Sequence, residues 1–236
     1  MLTLVITRHG LTARSVPEQH LGQKLDIALS EEGRAQAHAL AGRLAEVTFG
    51  GIVASPLVRA HQTARIVAAG LSGRVPAVET DTRLAEMDYG EWEGLTYAEI
   101  DARDAARRRA WEADPAGIRC PGGESGDDVA IRARDFLVDL LASNAAADEG
   151  PRPGVSRGSS VDPTLPILAV AHSSFNRILV CVALGLPVRE FRLRLQQDQV
   201  NLTVLRFEHG TGPSDARLIL LNDLAHVRPP GATPWA

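Results

Sequence analysis

The feature that most constrains this chain is a set of short apolar runs, each followed by a turn and then a helical stretch. Residues 166–171, Pro-Ile-Leu-Ala-Val-Ala, are the clearest of them. The run is too short for a helix, carries no polar side chain and stops at His172, so it reads as a buried strand. Residues 2–6, Leu-Thr-Leu-Val-Ile, read the same way and hand over to Thr7-Arg8-His9-Gly10. Residues 52–54 and 77–79 are shorter candidates. Between them, Ser30-Glu31-Glu32 opens one helix with a capping hydroxyl and acids at the positive end of the dipole, and Leu40, Leu44 and Val47 continue it at helical spacing. Ser55-Pro56 predicts a second helix over 56–69, with a cap followed by proline at the first helical position. Strand, helix, strand, helix, strand is the order of an α/β fold, a parallel sheet wrapped by helices.

The stretch 82–125 breaks that alternation. Its first part is acidic, aromatic and punctuated by glycine, as suits a functional loop. Residues 95–112 read as helical, and Ser125 caps a further helix whose apolar face carries Val129, Phe136, Leu137, Leu140 and Leu141. Residues 143–164 are rich in Gly, Pro and Ser and read as a long flexible surface loop. After the 166–171 strand, Ser173-Ser174 opens a helix to Leu184, closed by Gly185 and Pro187. Residues 200–207 and 217–221 form an expected antiparallel hairpin, and the Pro- and Gly-rich tail 228–236 reads as loose.

A length of 236 residues, 44% hydrophobic and 23% charged, suits one soluble α/β domain with an insertion. The formal charge of -4 implies no general attraction to nucleic acid. No apolar run approaches the ~20 residues that span a bilayer, so no membrane partner is expected. Cys120 and Cys181 form no zinc-ligand pattern. They read as reduced thiols, which with the absence of a signal-like N-terminus gives an expected cytoplasmic location.

Two strands thus end in histidine, His9 and His172. Arg8 precedes the first, Arg59 lies near the start of a helix at the same sheet edge, and Glu86 sits on the interrupting loop. Ligands of open α/β sheets bind at that edge. These residue types suit attack on a phosphate monoester. A neutral imidazole is a nucleophile at neutral pH, and its phosphoryl adduct is labile to water. Two guanidinium forks can hold the phosphoryl oxygens. A second histidine, charged, can stabilise the group in transfer, and the amides opening the helix after His172 face the same anion. A carboxylic acid can protonate the leaving alkoxide. This scheme needs no metal and no cofactor.

The chain resembles the histidine phosphatase superfamily, the phosphoglycerate-mutase-like group, over nearly its whole length. The resemblance is carried by Arg8-His9-Gly10 with Thr12; by Leu29-Ser30-Glu31-Glu32-Gly33 with Gln36-Ala37; and by Ser55-Pro56-Leu57 with Arg59-Ala60 and Gln62-Thr63-Ala64. Leu84, Glu86, Gly90, Trp92-Glu93-Gly94, Gly122-Gly123-Glu124-Ser125 and Ala171-His172-Ser173 complete it. The resemblance implies a three-layer α/β/α sandwich with a mostly parallel mixed sheet, built as a single domain over residues 1–236 with a helical cover over about 87–125. It implies His9 as the phospho-accepting nucleophile and Glu86 as proton donor and then base. Arg8, Arg59 and His172 would line the phosphate pocket, with Ser15 and Ser173 as further phosphate contacts.

Three departures bear on the mouth of the pocket. Leu11 stands where relatives often carry an acid or amide, Ser15 where they often carry asparagine, and Ser173-Ser174 where they usually carry glycines. The expected activity is metal-independent hydrolysis of a small phosphorylated metabolite, releasing inorganic phosphate. A cofactor-dependent phosphoglycerate mutase and a non-catalytic phospho-ligand binder are the alternatives. Asp88, Glu91 and Glu93 compete with Glu86 for the acid role. Trp92 and Trp111 read as packing residues, Arg107-Arg108-Arg109 as a solvated helix face, and His20, His38, His61, His209 and His226 receive no role. Symmetric dimers being the commonest assemblies, a homodimer is the base-rate expectation.

Overall fold

In the computed structural model, which describes residues 1–15, 19–148 and 164–228, strand β1 (Leu2–Arg8) lies inside a six-stranded sheet. Strand β4 (Ile167–Ala171) pairs parallel with one of its edges, and β5 (Leu202–Phe207) pairs antiparallel with the other. Beyond β4 lie β2 (Gly51–Ala54) and β3 (Val78–Thr80), both parallel, and beyond β5 lies β6 (Arg217–Asp223). The spatial order is β3-β2-β4-β1-β5-β6, a mixed and mostly parallel sheet. One register matters most. Arg8 pairs with Ala171, so the next residues, His9 and His172, leave adjacent strand ends together. The His9 amide bonds the Ala171 carbonyl at 3.0 Å.

The alternation of side chains along the strands builds two cores. Leu2, Leu4, Ile6, Ile167, Ala169 and Ala171 face helices α4 (Gly126–Asp148) and α5 (Ser173–Ala183). Val5, Ile52, Ala54, Leu168 and Val170 face α1 (Glu31–Leu44) and α2 (Val58–Ala69). Helices on both faces make the three-layer α/β/α sandwich. Each fully buried Leu, Val, Ile or Phe in these layers contributes about 1.5–3 kcal/mol of transfer free energy. The 82–125 stretch packs onto the first core through Trp92, Ile100 and Trp111, and contributes helix α3 (Tyr97–Ala113). Its N-terminus carries a reciprocal capping box between Thr96 and Glu99.

Several local expectations change. Helix α2 begins at Val58, not at Pro56, and Ser55 does not cap it; Leu57 is the N-cap and supplies no side-chain bond. Ser55 Oγ instead accepts from the Leu57 amide at 3.3 Å, closing a turn before the helix. Helix α4 runs on to Asp148, and Asn144 is buried, so the first residues of the loop expected at 143–164 are helical. Of that loop, 149–163 lie outside the described residues, as does the tail beyond 228. The segment after Pro187 forms a 3-10 turn and the short helix α6 (Phe191–Arg194), neither of which the sequence reading assigned. Strand β5 starts at Leu202 because Val200 takes a left-handed conformation, with φ 52°. Among the described residues no helix is long and apolar enough to cross a membrane.

Candidate active site

The imidazole of His9 is fixed from one side by its neighbour's backbone. Nδ1 lies 2.7 Å from the Gly10 carbonyl oxygen, which can only accept, so Nδ1 carries the hydrogen and Nε2 the lone pair. Nε of Arg59 donates to that Nε2 across 3.3 Å. Burial, then the charges of Arg59 and Arg8, hold the imidazole neutral well below its ordinary range, against the Gly10 bond that pulls the other way. His172 follows β4 on the next strand end. The two ring centroids are 5.1 Å apart, at 60° between planes. Nε2 of His172 is 2.8 Å from the Ser55 hydroxyl, while its Nδ1 is buried without a partner. Burial, Arg59 and His9 hold this imidazole neutral too, in contrast to the charged second histidine expected from sequence.

The loop that leaves His9 is held by backbone contact and by side chains from two helices. A Cβ at Gly10 would overlap the carbonyl of Gly33, and one at Gly33 would overlap the carbonyl of Leu11. Gly10 is thus small because two backbones touch, not to make room for a ligand. Thr63 Oγ1 accepts from the Gly10 amide at 3.1 Å, Gln36 Oε1 from Leu11 at 3.0 Å, and Gln62 Oε1 from Leu29 at 2.9 Å. These residues, met in the sequence as pattern, are scaffold.

Arg59 is fully buried, and its guanidinium is largely spent on one loop. NH2 donates to the carbonyls of Leu21 and Gly22 at 3.2 and 2.8 Å, and NH1 to that of Leu25 at 3.3 Å, with Asp26 at 4.0 Å. The amides of the same loop face Glu93, whose carboxylate accepts from Gln23, Lys24 and Leu25 at 2.8, 2.8 and 3.1 Å. The loop is clamped between a cation on its carbonyls and an anion on its amides. Only Nε of Arg59 turns to His9, so the expected open fork is absent from this arrangement.

Glu86 has the opposite setting. Its Oε1 accepts from the amides of Met87 and Phe175 at 2.8 and 3.1 Å, and Oε2 from Ser174 at 3.2 Å. Two of the three donors open α5, directly after His172, so one helix start orients both residues. Arg132 anchors the backbone that carries Glu86: it donates to the carbonyls of Arg83, Ala85 and Glu86 and to the Glu124 carboxylate, with its guanidinium 5.2 Å from the Phe175 ring. Of the four acids on this stretch, Glu86 alone lines the central cavity.

That cavity has a volume of ≈ 580 Å³. Arg8, His9 and Glu86 stand in its wall with Leu11, Ser15 and Ser173. Arg59 and His172 are fully buried behind it, against His9. Arg8 donates to the Gln197 carbonyl at 3.0 Å, and its own amide donates to Asn201 Oδ1 at 3.1 Å. The strained Val200 between them bonds the Arg8 carbonyl at 3.0 Å. Ser15, which lines the cavity, also closes a turn: its Oγ accepts from the Thr12 amide at 3.0 Å.

The opposite wall was not anticipated. It comes from the cover, through Tyr89 and Tyr97, and from residues 192–199. His20, given no role from sequence, also lines it. Its ring lies 4.2 Å from Tyr89 and 5.0 Å from Tyr97. Burial, Arg192 and Arg108 lower its pKa to about 3. No local pattern marks residues 192–199; the cluster Arg189, Arg192 and Arg194 was the one available signal. Arg107 and Arg108 instead pair with Asp104 and with Asp101 and Glu112. Among the described residues no group of three or more His, Cys, Asp or Glu is arranged to hold a metal ion.

Comparison with known proteins gives a concordant picture. The model of the histidine phosphatase superfamily (branch 1) matches residues 4–218. The chain is 40% identical over 185 residues to a glucosyl-3-phosphoglycerate phosphatase of Mycobacterium tuberculosis, covering 78% of this chain and 76% of that protein. It is 30% identical over 214 residues to an Erwinia tasmaniensis protein named "Probable phosphoglycerate mutase GpmB", covering 90% and 87%. Among solved structures it is similar to a mycobacterial glucosyl-3-phosphoglycerate phosphatase in complex with inorganic phosphate, with TM-score 0.76 and 34% identity, covering 97% of this chain and 100% of that one.

Proposed function

The chain belongs to the histidine phosphatase superfamily, branch 1, and from that premise we propose that it is a phosphatase that hydrolyses small phosphomonoesters through a phosphohistidine on His9. The observation that carries this reading is the Nδ1 bond to Gly10, which leaves Nε2 as the reactive lone pair of a neutral imidazole. The phosphoryl group sits against Arg8 and Nε of Arg59, and Nε2 attacks phosphorus in line with the departing alcohol. His172 acts as a neutral donor: its Nε2 accepts from the Ser55 hydroxyl, and its Nδ1–H bonds a phosphoryl oxygen. Glu86 protonates the leaving alkoxide and then, as carboxylate, draws the proton from the water that releases phosphate. Residues 87–125 act as a cover within a single domain, and Ser15 and Ser173 contact the phosphate from the rim.

The reading is supported by the family membership and by relatives named as phosphatases at 40% identity. Its test is a phosphate-release screen over phosphosugars, phosphoglycerates, phosphoserine and nucleotide phosphoesters, with and without chelator. Release that survives chelation supports it. Isomerisation of a phosphoglycerate without release points to the mutase alternative, and binding without turnover points to a phospho-ligand binder.

A further inference from the structure

The two edges of the sheet are not alike. At one end β3 is three residues long, and Glu79 and Thr80 stand exposed on it. A short, charged edge offers little to a further strand. At the other end β6 is seven residues long and reads Arg-Leu-Ile-Leu-Leu-Asn-Asp, with no lysine, proline or glycine. Among the described residues its inner edge pairs with β5 and no strand pairs with its outer edge. Its aliphatic side chains are left in water. Leu218 is 39% exposed, Ile219 48% and Leu221 37%, with Leu220 half-buried between them. Asn222 is tied inward: its side chain accepts from the Asp198 amide and donates to the Asp198 carboxylate, each at 2.8 Å. Four consecutive aliphatic residues on an open edge form a pairing template, which proteins otherwise interrupt with charge or proline.

The ends of this strand carry opposite charges. Arg217 stands exposed at the start, and its ion pair with Glu208 is long, at 3.8 Å. Asp223 lies at the end and accepts from the Ala225 amide at 3.1 Å. Such a strand is complementary to itself run backwards. Two antiparallel copies centred on Leu220 set Leu220 against its own counterpart and Ile219 against Leu221. They also bring the Arg217 end of each against the Asp223 end of the other. Centring on Ile219 sets Asp223 against Asp215, and centring on Leu221 sets Asp223 against Ile219, so charge selects the first register. We propose that β6 joins two copies of this chain, paired antiparallel about Leu220, so that two six-stranded sheets run on as one. The contact uses the same patch on both copies, and assembly therefore stops at a dimer.

The test is sedimentation velocity on the full chain over a concentration series. The wild type is expected to sediment as a dimer that dissociates on dilution. Arg217→Asp and Asp223→Arg each place like charges at both ends of the pairing, and each should weaken the dimer about tenfold. Mixed one to one, the two variants should pair at wild-type strength, because each supplies the charge that the other lacks. Hydrogen exchange on the wild type needs no substitution, and protection of amides 217–221 should rise as the dimer forms. A wild type that stays monomeric overturns the proposal and leaves the edge to another partner. A dimer that neither variant weakens, or that forms without protecting 217–221, also overturns it by placing the contact elsewhere. Variants that weaken the dimer and fail to recover on mixing overturn the antiparallel register.

Discussion

Nε of Arg59 approaches Nε2 of His9 to 3.3 Å, while Nδ1 of the same ring is tied to the Gly10 carbonyl. A cationic donor on one nitrogen and a backbone acceptor on the other leave a single electrostatically favoured state, the neutral ring with its hydrogen on Nδ1. His172 and His20 are held neutral as well, each chiefly by burial. All three pKa values lie below 6.5 in the fold, whereas the unfolded chain takes up protons near that pH. The native state therefore binds fewer protons as pH falls, and stability drops from pH 7.5 to 5.5. The three together should lower stability by a readily measured amount, on the order of a few kcal/mol. Urea unfolding at the two pH values measures it. Equal stability would mean that the imidazoles are charged in the native protein.

Among the described residues, Ser55 is the one partner of His172 Nε2, at 2.8 Å. Ser55→Ala removes the bond that sets the tautomer of this ring. A lost bond at a buried site costs about 1–3 kcal/mol, so kcat/KM on a phosphomonoester should fall roughly five- to hundredfold. Far-ultraviolet circular dichroism checks that the fold survives. Unchanged kinetics would remove the oriented His172 from the account.

Glu86→Gln keeps shape and removes the titrating group. With an alkyl phosphate, whose leaving group needs a proton, turnover should fall by about a hundred- to ten-thousandfold. With an activated aryl phosphate the loss should be much smaller. Equal losses on the two substrates, measured as steady-state kcat, would take Glu86 out of the acid role.

Arg132 ties the carbonyls of Arg83, Ala85 and Glu86 to the Glu124 carboxylate. Arg132→Met takes the cationic partner from the half-buried Glu124 carboxylate, which keeps the Asp88 amide, and takes a donor from the carbonyls of Arg83 and Ala85, while the Glu86 carbonyl keeps Gln23; it should cost about 2–4 kcal/mol in urea unfolding. A loss under 1 kcal/mol would show that the Glu86 stretch is held by its packing instead.

The parts of the fold that were readable without coordinates share a cause. β1 and β4 are buried on both faces, so they are continuous apolar runs, and the register that joins them follows from sheet pairing. That alone puts His9 beside His172. The Ser30 cap was readable because its hydroxyl bonds the Gly33 amide in the local pattern. Ser55-Pro56 misled because the same pattern also fits a turn, and the Ser55 hydroxyl is shared with a histidine 117 residues away. The wall from residues 192–199 carried no periodic signal, because α6 is four residues long; only the arginines at 189, 192 and 194 hinted at it. The clamp on the 21–26 loop was hidden for a related reason: it is made of backbone groups, which every sequence has.

The central claim is that Nε2 of His9 accepts the phosphoryl group. Rapid mixing with a substrate labelled at phosphorus, an alkaline denaturing quench that preserves nitrogen–phosphorus bonds, and peptide mass spectrometry test it directly. The account predicts an acid-labile label on His9, absent from His9→Ala. Label that persists in His9→Ala, or that maps to another residue in the wild type, would contradict it.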